Sequence, residues 1–344
     1  MERRFLDVPR PVPRTRADLR EALLELPRAA GAATLRVSVT DRCNLRCAYC
    51  MPEEGVPLVP RGEIPPLDEL ASAVGWLVSR YGVDRVKVTG GEPLVRKGVP
   101  AFVEMVAGIA GVREVSMTTN GTRLADSSAA LAKAGLARVN VSLDTLDPER
   151  FRDLTRGGRV EEVLEGIDAA LAAGLTPLKV NSVLRRSGWR EDVPALLEYA
   201  ARTGVEVRFI ELMHTGTEAA WAIAERVTGA TVREWLESQG ARVTPLPGRP
   251  NAPARRTAIA WRGLEVEAGW IDPVSHSFCE DCDRLRLDAR GRLRRCLMDE
   301  QLFPLVDLLR RGEAAVEEAA AAYVARKRPP AAMTIPFTMA SIGG

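Results

Sequence analysis

From residue 34 onward the chain repeats one pattern six times: a short β-branched run, a polar or glycine-containing turn, then an amphipathic stretch. The runs at 35–39, 85–88, 114–118, 138–142, 178–183 and 205–210 predict strands, and the stretches at 67–81, 99–109, 127–134, 160–173 and 193–203 predict helices. Gly135, Gly174 and Gly204 fall where such helices end in a left-handed residue. Six β–α units in series dictate a parallel sheet with right-handed crossovers, because parallel neighbours need a long return connection. A curved partial barrel and an open doubly wound sheet both satisfy this rhythm.

In either architecture the carboxyl ends of the strands carry the chemistry. Cys43 follows the first strand, Thr89-Gly90-Gly91-Glu92-Pro93 the second, and Thr119-Asn120-Gly121 the third; Ser142 and Asp144 close the fourth and Glu211 the sixth. Singly, each would pass for an ordinary turn. Together with a cysteine cluster on the same face they mark a site. The rhythm stops after Met213. Helix is expected around 221–236, a Pro/Gly linker at 245–250, antiparallel strands within 257–271 and helix over 301–326. The expected division is an N-terminal extension at 1–30, a barrel at 31–245 and a C-terminal region at 246–344.

The 344 residues are 46% hydrophobic and 27% charged with a net charge of +2, which suits a globular protein and gives no global argument for nucleic acid or membrane as partner. The first thirty residues lack an apolar signal region and no apolar run approaches a membrane span, so a cytoplasmic location is expected. Only five of the 48 basic residues are lysines, at 87, 97, 133, 179 and 327.

All six cysteines fall into two triads, Cys43, Cys47, Cys50 and Cys279, Cys282, Cys296. Three thiolates are one short of the four that close a structural zinc or iron–sulfur site, so each triad leaves a metal position open. The C-x₃-C-x₂-C loop brings three thiolates close enough to cap three corners of a cubane cluster. In Gly90-Gly91-Glu92-Pro93, two glycines permit close backbone approach to a ligand and Glu92 can meet an ammonium. Between the later cysteines, Arg284 and Arg286 lie two apart on an extended segment and point to one face, a seat for polyphosphate. Arg290, Arg292, Arg294 and Arg295 read instead as solvated charge. His276, three residues before Cys279, offers a fourth ligand that would turn the second triad into a closed zinc site. With His214 as the only other histidine, a Ser-His-Asp hydrolase is unattractive, and no Walker-type phosphate loop is present.

These segments resemble the radical S-adenosylmethionine superfamily and, within it, the GTP 3′,8-cyclases of molybdenum cofactor biosynthesis. The resemblance runs from Leu35 to Gly344 through Thr40-Asp41-Arg42-Cys43, Thr89-Gly90-Gly91-Glu92-Pro93-Leu94, Val139-Asn140-Val141-Ser142-Leu143-Asp144, Cys279-Glu280-Asp281-Cys282-Asp283-Arg284-Leu285-Arg286 and the terminal Gly343-Gly344. It implies an α/β fold, an incomplete (β/α)₆ TIM-like barrel with a smaller C-terminal α+β region covering the opening. It implies two [4Fe–4S] clusters, on Cys43, Cys47, Cys50 and on Cys279, Cys282, Cys296, with S-adenosylmethionine as cosubstrate. Carried over by position, Tyr49, Gly91, Ser142 and Met213 would meet S-adenosylmethionine, and Arg36, Lys87, Thr118, Lys179, Arg284, Leu285 and Arg286 would meet GTP. The implied reaction takes hydrogen from C3′ of GTP and joins C3′ to C8. A reducing electron donor and a downstream cyclic pyranopterin monophosphate synthase are the implied partners, and the resemblance leaves room for a homodimer. No catalytic acid or base is singled out. The rival readings are a radical enzyme with an auxiliary cluster acting on another small molecule or a peptide, and a zinc-containing nucleic-acid-binding protein.

Overall fold

The structure is a computed structural model that describes residues 33–215, 219–248, 252–280, 282–312, 314–324 and 334–335. The N-terminal extension and the terminal Gly343-Gly344 lie outside the described residues.

Six parallel strands form the centre in chain order: β1 (Ala33–Ser38), β2 (Val83–Thr89), β3 (Glu114–Thr119), β4 (Arg138–Ser142), β5 (Lys179–Leu184) and β6 (Glu206–Glu211). The connections carry α1 (Leu67–Tyr81), α2 (Val99–Ala107), α3 (Leu124–Lys133), α4 (Pro148–Thr155), α5 (Val160–Ala172) and α6 (Trp189–Thr203). Later come β7 (His214–Thr215), α7 (Ala219–Glu225), α8 (Gly229–Ser238), β8 (Arg242–Leu246), β9 (Arg255–Trp261), β10 (Leu264–Ile271), β11 (Arg284–Leu287), β12 (Leu293–Arg294), α9 (Leu305–Leu309), α10 (Ala314–Val324) and β13 (Thr334–Ile335).

The side-chain period of two decides between the architectures that the sequence left open. One face of the central strands presents Leu35, Val37, Val86, Val88, Val115, Met117, Val139, Val141, Val180, Val207 and Phe209, all nearly or fully buried in one core with α1, α2, α3, α5 and α6. The other presents Arg36, Lys87, Ser116, Thr118, Arg138, Asn140, Ser142, Lys179, Asn181, Glu206 and Arg208. A doubly wound sheet needs apolar residues on both faces; this sheet has them on one. Curvature brings the polar face together. Lys87 and Arg208 are four strands apart, ~19 Å on a flat sheet at ~4.8 Å per strand, yet Arg208 is among the cations that depress the Lys87 ammonium. The fold is an incomplete α/β barrel with a polar interior.

The C-terminal strands join this sheet at both edges. β11 pairs in parallel with β1 and β10 in parallel with β6, giving the order β12-β11-β1-β2-β3-β4-β5-β6-β10-β9-β8. The expected linker at 245 differs: Pro245 sits inside β8, paired opposite Thr257. β8 is an edge strand, where a proline costs no ladder bond on its solvent side. Two helices also depart from the expectation. α4 was not anticipated, although Asp147-Pro148 carries its start signal, an N-cap whose carboxylate accepts from Arg150 N at 2.8 Å with proline at the first position. α6 starts four residues before the expected 193 because buried Trp189 packs edge-on against Trp235 at 5.1 Å, holding an extra turn ahead of Pro194. Gly82 (φ 62°) and Gly204 (φ 75°) cap α1 and α6. Among the described residues no helix is long and apolar enough to cross a membrane.

Candidate active site

The first cysteine loop leaves β1 and is held from below by the end of α4. Arg46 N donates to Thr155 O at 3.1 Å and Ala48 N to Leu154 O at 2.9 Å, so two helix-terminal carbonyls find their partners in the loop. Arg156, left-handed at φ 54°, donates its guanidinium to the carbonyls of Met51 (2.8 Å) and Arg46 (3.1 Å). Cys50 N donates to Cys47 O at 2.8 Å, closing a turn between the second and third cysteines. Tyr49 OH donates to Asp144 Oδ2 at 2.8 Å, and Asp144 Oδ1 accepts from Val183 N at 2.7 Å, tying the loop to β4 and β5. Burial, then the negative neighbours Cys50, Asp144 and Cys43, push the Cys47 thiol well up. Cys47 therefore has both other thiols as electrostatic neighbours. A site that concentrates negative charge this way favours a bound cation.

The glycine motif docks the cysteine loop. A Cβ on Gly91 would lie 2.5 Å from Arg42 O and 2.9 Å from Asp41 O, and one on Gly90 2.7 Å from Thr40 O. The backbone that approaches these glycines is the cysteine loop itself, with Gly91 N donating to Thr40 O and Glu92 N to Arg42 O, each at 2.8 Å. Glu92 is 1% exposed, and its carboxylate accepts from Leu94 N (3.0 Å), Thr119 Oγ1 (2.8 Å) and Asn120 N (2.6 Å). Burial raises this group to about 7 against the pull of those donors. It binds the loops after β2 and β3 together. Gly91→Ala is accordingly expected to cost ~1–3 kcal/mol, read as a lower melting temperature, together with loss of iron retention by the first loop.

The barrel interior is a basic seat. In register across the sheet, Arg286 on β11 pairs with Arg36 on β1, which pairs with Lys87 on β2. Arg36 is held well below its ordinary range by burial and by Arg286 and Arg284. Lys87 is held down by burial and by Arg36, Arg138, Arg208 and Arg284. Neither has a carboxylate partner among the described residues. Arg138 pairs with Glu114 at 2.5 Å, and Lys179 with Glu206 at 2.8 Å. Two buried acceptors, Thr118 Oγ1 and Asn181 Oδ1, have no hydrogen-bond partner among the described residues. Unpaired buried polar atoms and like charges facing one another are costly unless a ligand satisfies them.

The second triad adjoins this seat. Cys296 is raised by burial and by Cys282 and Cys279, while Arg286 opposes. Arg286 in turn is lowered to about 10 by burial and Arg284, against the pull of Cys282 and Cys296. Cys282 also acts on Arg36. The segment leading there is anchored by Glu211, fully buried, whose Oε2 accepts from Val274 N (3.0 Å), Ser275 N (2.8 Å) and Ser275 Oγ (3.1 Å). His276 is exposed, and among the described residues no three His, Cys, Asp or Glu side chains group as ligands of one ion.

The expected residues thus divide. Arg36, Lys87, Thr118, Lys179, Arg284 and Arg286 share the interior face, with Ser142 one step toward the strand ends and Tyr49 and Gly91 in the loops above. Met213 lies half-buried just past β6. Leu285 is a correction: it is 4% exposed in the helical core, on the opposite face of β11 from its arginine neighbours, so its side chain cannot reach the interior. Of the later arginines, Arg294 and Arg295 are also not solvated charge. Arg294 is 4% exposed and donates to Asp299 O at 2.7 Å, and Arg295 clasps the Asp299 carboxylate at 2.7 and 3.0 Å. Arg138, Asn181, Glu206 and Arg208 were missed. Their signal was the polar member of each strand's alternation, as in Arg138-Val139-Asn140-Val141-Ser142.

The Radical SAM superfamily profile matches residues 37–213, and Molybdenum Cofactor Synthesis C matches 205–333. A GTP 3′,8-cyclase of Pelotomaculum thermopropionicum is 44% identical over 290 residues, covering 83% of this chain and 87% of its own. One from Heliobacterium modesticaldum is 45% identical over 279 residues, covering 81% and 84%. Among solved structures, Streptococcus suis SuiB bound to precursor peptide SuiA aligns with a TM-score of 0.56 at 14% identity. That match covers 81% of this chain and 64% of SuiB, and it bears on the fold alone.

Proposed function

Because the chain belongs to the radical SAM superfamily and, within it, to the GTP 3′,8-cyclases, we propose that its barrel interior converts GTP to 3′,8-cyclo-7,8-dihydro-GTP for molybdenum cofactor biosynthesis. One observation carries this: Arg36 and Lys87 face the interior without a carboxylate among the described residues, surrounded by further cations, beside the second cysteine triad. A triphosphate supplies the missing negative charge, and arginine and lysine together match its fork and point-charge recognition.

The donor sets fit the two clusters. Cys43, Cys47 and Cys50 would hold a [4Fe–4S] cluster, three thiolates leaving one iron for S-adenosylmethionine, beside Tyr49, Gly91, Ser142 and Met213. Cys279, Cys282 and Cys296 would hold a second, whose three thiolates leave one iron for substrate, with Arg286 offsetting the thiolate charge. The chemistry such a cluster supplies when bound is one-electron reduction of S-adenosylmethionine, which yields methionine and the 5′-deoxyadenosyl radical that takes hydrogen from C3′ of the ribose.

The chain's own residues do the rest. Arg36, Lys87, Arg284 and Arg286 bind the triphosphate and fix its distance from the first loop, and positioning of this kind supplies much of an enzyme's rate gain. Asp144 orients Tyr49 through the 2.8 Å hydrogen bond, and Glu92 locks the loops that border the cosubstrate. The six central strands carry the radical-forming half, and the segment around β11 and β12 carries the second triad, joined through one sheet. After C3′–C8 bond formation one electron and one proton return from the reductant, so the product is an isomer of GTP. The downstream pyranopterin synthase consumes it.

Anaerobic incubation with GTP, S-adenosylmethionine and reductant should give 5′-deoxyadenosine and, in equal amount, a nucleotide of unchanged mass and altered retention. Deoxyadenosine formed without any such isomer would overturn the GTP assignment while leaving the radical chemistry intact.

A further inference from the structure

We propose that Glu206 is a positioning residue of the phosphate seat, holding the Lys179 ammonium and the Arg208 guanidinium side by side so that a triphosphate meets an assembled cation pair. The proposal rests on the reading of the barrel interior as the GTP site. Its basis is geometric. Lys179 on β5 and Glu206 on β6 are register partners, and both side chains point to the interior. Glu206 Oε2 accepts from Lys179 Nζ and Oε1 from Arg208 Nε, each at 2.8 Å, so one carboxylate spans two cations from adjacent strands. The Lys179 side chain is 3% exposed and has no other carboxylate partner among the described residues.

The charged groups facing Lys179 are Glu206 and Arg208 from β6 and Arg138 from β4, the last already bound to Glu114 of β3. Burial, Arg208 and Arg138 press the ammonium to release its proton, and Glu206 opposes them, leaving Lys179 at about 8. Burial raises Glu206, but Arg208 and Lys179 outweigh it and hold the carboxylate down to about 2. Glu206 is therefore charged throughout the working range. Its negative charge lies close to an expected polyanion, an apparent liability. The pair geometry resolves this: without Glu206, Lys179 is a neutral amine among guanidiniums and binds phosphate poorly.

The test is GTP affinity of the reconstituted full-length protein as a function of pH above 7, where the terminal phosphate is already ionised. In the unmodified protein affinity should break downward near the Lys179 value, since loss of the ammonium removes one phosphate contact. In Glu206→Gln the break should move down by about 1–3 units, the usual effect of a removed opposite charge, to the lower end of this range or below it, and affinity at pH 8 should fall about tenfold or more, as for one charge-assisted contact. Lys179→Arg placed in the Glu206→Gln background should restore binding and flatten its pH dependence, because arginine keeps its charge. An unshifted profile in Glu206→Gln, or a double variant that does not recover, overturns the proposal. Absence of GTP binding by the unmodified protein instead removes the seat itself.

Discussion

Cys296→Ser is expected to lower iron from about eight to about four per chain, as for loss of one of two cubane clusters, and to abolish cyclisation while S-adenosylmethionine cleavage continues. Cys296 reaches Cys282 and Cys279 because β11 and β12 form an antiparallel pair, with Arg286 opposite Arg294, that folds the long spacer back on itself. The first loop is held by Thr155, Leu154, Arg156, Asp144 and the loop after β2, residues outside this hairpin. The two triads should therefore fail independently. Iron remaining near its original content would mean that the second triad holds no cluster. Simultaneous loss of S-adenosylmethionine cleavage would mean that the halves are not separable. Iron analysis and deoxyadenosine quantification on one preparation decide between these outcomes.

Arg36→Ala is expected to weaken GTP binding by about 10- to 100-fold, the worth of about 1.5–3 kcal/mol in a charge-assisted contact, with little effect on S-adenosylmethionine affinity. The same substitution should raise the melting temperature of the GTP-free protein. Arg36 is desolvated and repelled by Arg286 and Arg284, with Cys282 the one group that favours its charge, so removing it relieves strain that only a bound anion offsets. A residue kept against the stability of its own fold is characteristic of a binding site. Unchanged GTP affinity, or a fall in melting temperature without nucleotide, would count against the interior as the phosphate seat. Saturating GTP should reverse the order of the two melting temperatures, because ligand stabilisation grows with affinity.

The parts of the fold that were legible rest on short-range pattern. β4 was expected at 138–142 and forms there; α1 was expected at 67–81 and spans Leu67–Tyr81. Such elements have apolar residues at the period their neighbours demand, and glycine where the chain must turn left-handed. α4 was legible in principle through Asp147-Pro148, but its eight residues carry too few apolar positions to stand out. The start of α6 was not legible, because the Trp189–Trp235 contact that extends it joins residues 46 apart in sequence. In the site, motif cysteines and the arginine pair could be picked out by type and spacing. The assignment of Leu285 followed the run of residues and missed the strand's alternation, which turns it into the core.

The sequence alone determined which residue types were at hand: two incomplete thiol triads, six parallel strands, and arginines and lysines at interior positions of those strands. These are properties of local order, since a strand's alternation and a loop's cysteine spacing need no distant partner. Tertiary structure alone decided that the sheet buries one face only, and that its curvature gathers Arg36, Lys87, Lys179 and Arg208 around one space. It also decided that β11 joins β1, so that the second triad and Arg286 come to the same wall. It also shows that Gly91 and Glu92 dock the cysteine loop. Each of these depends on which strands become neighbours. Hydrogen-bonded pairing across more than two hundred residues, as between β1 and β11, is set by the burial of the whole core and leaves no mark in the spacing of either segment.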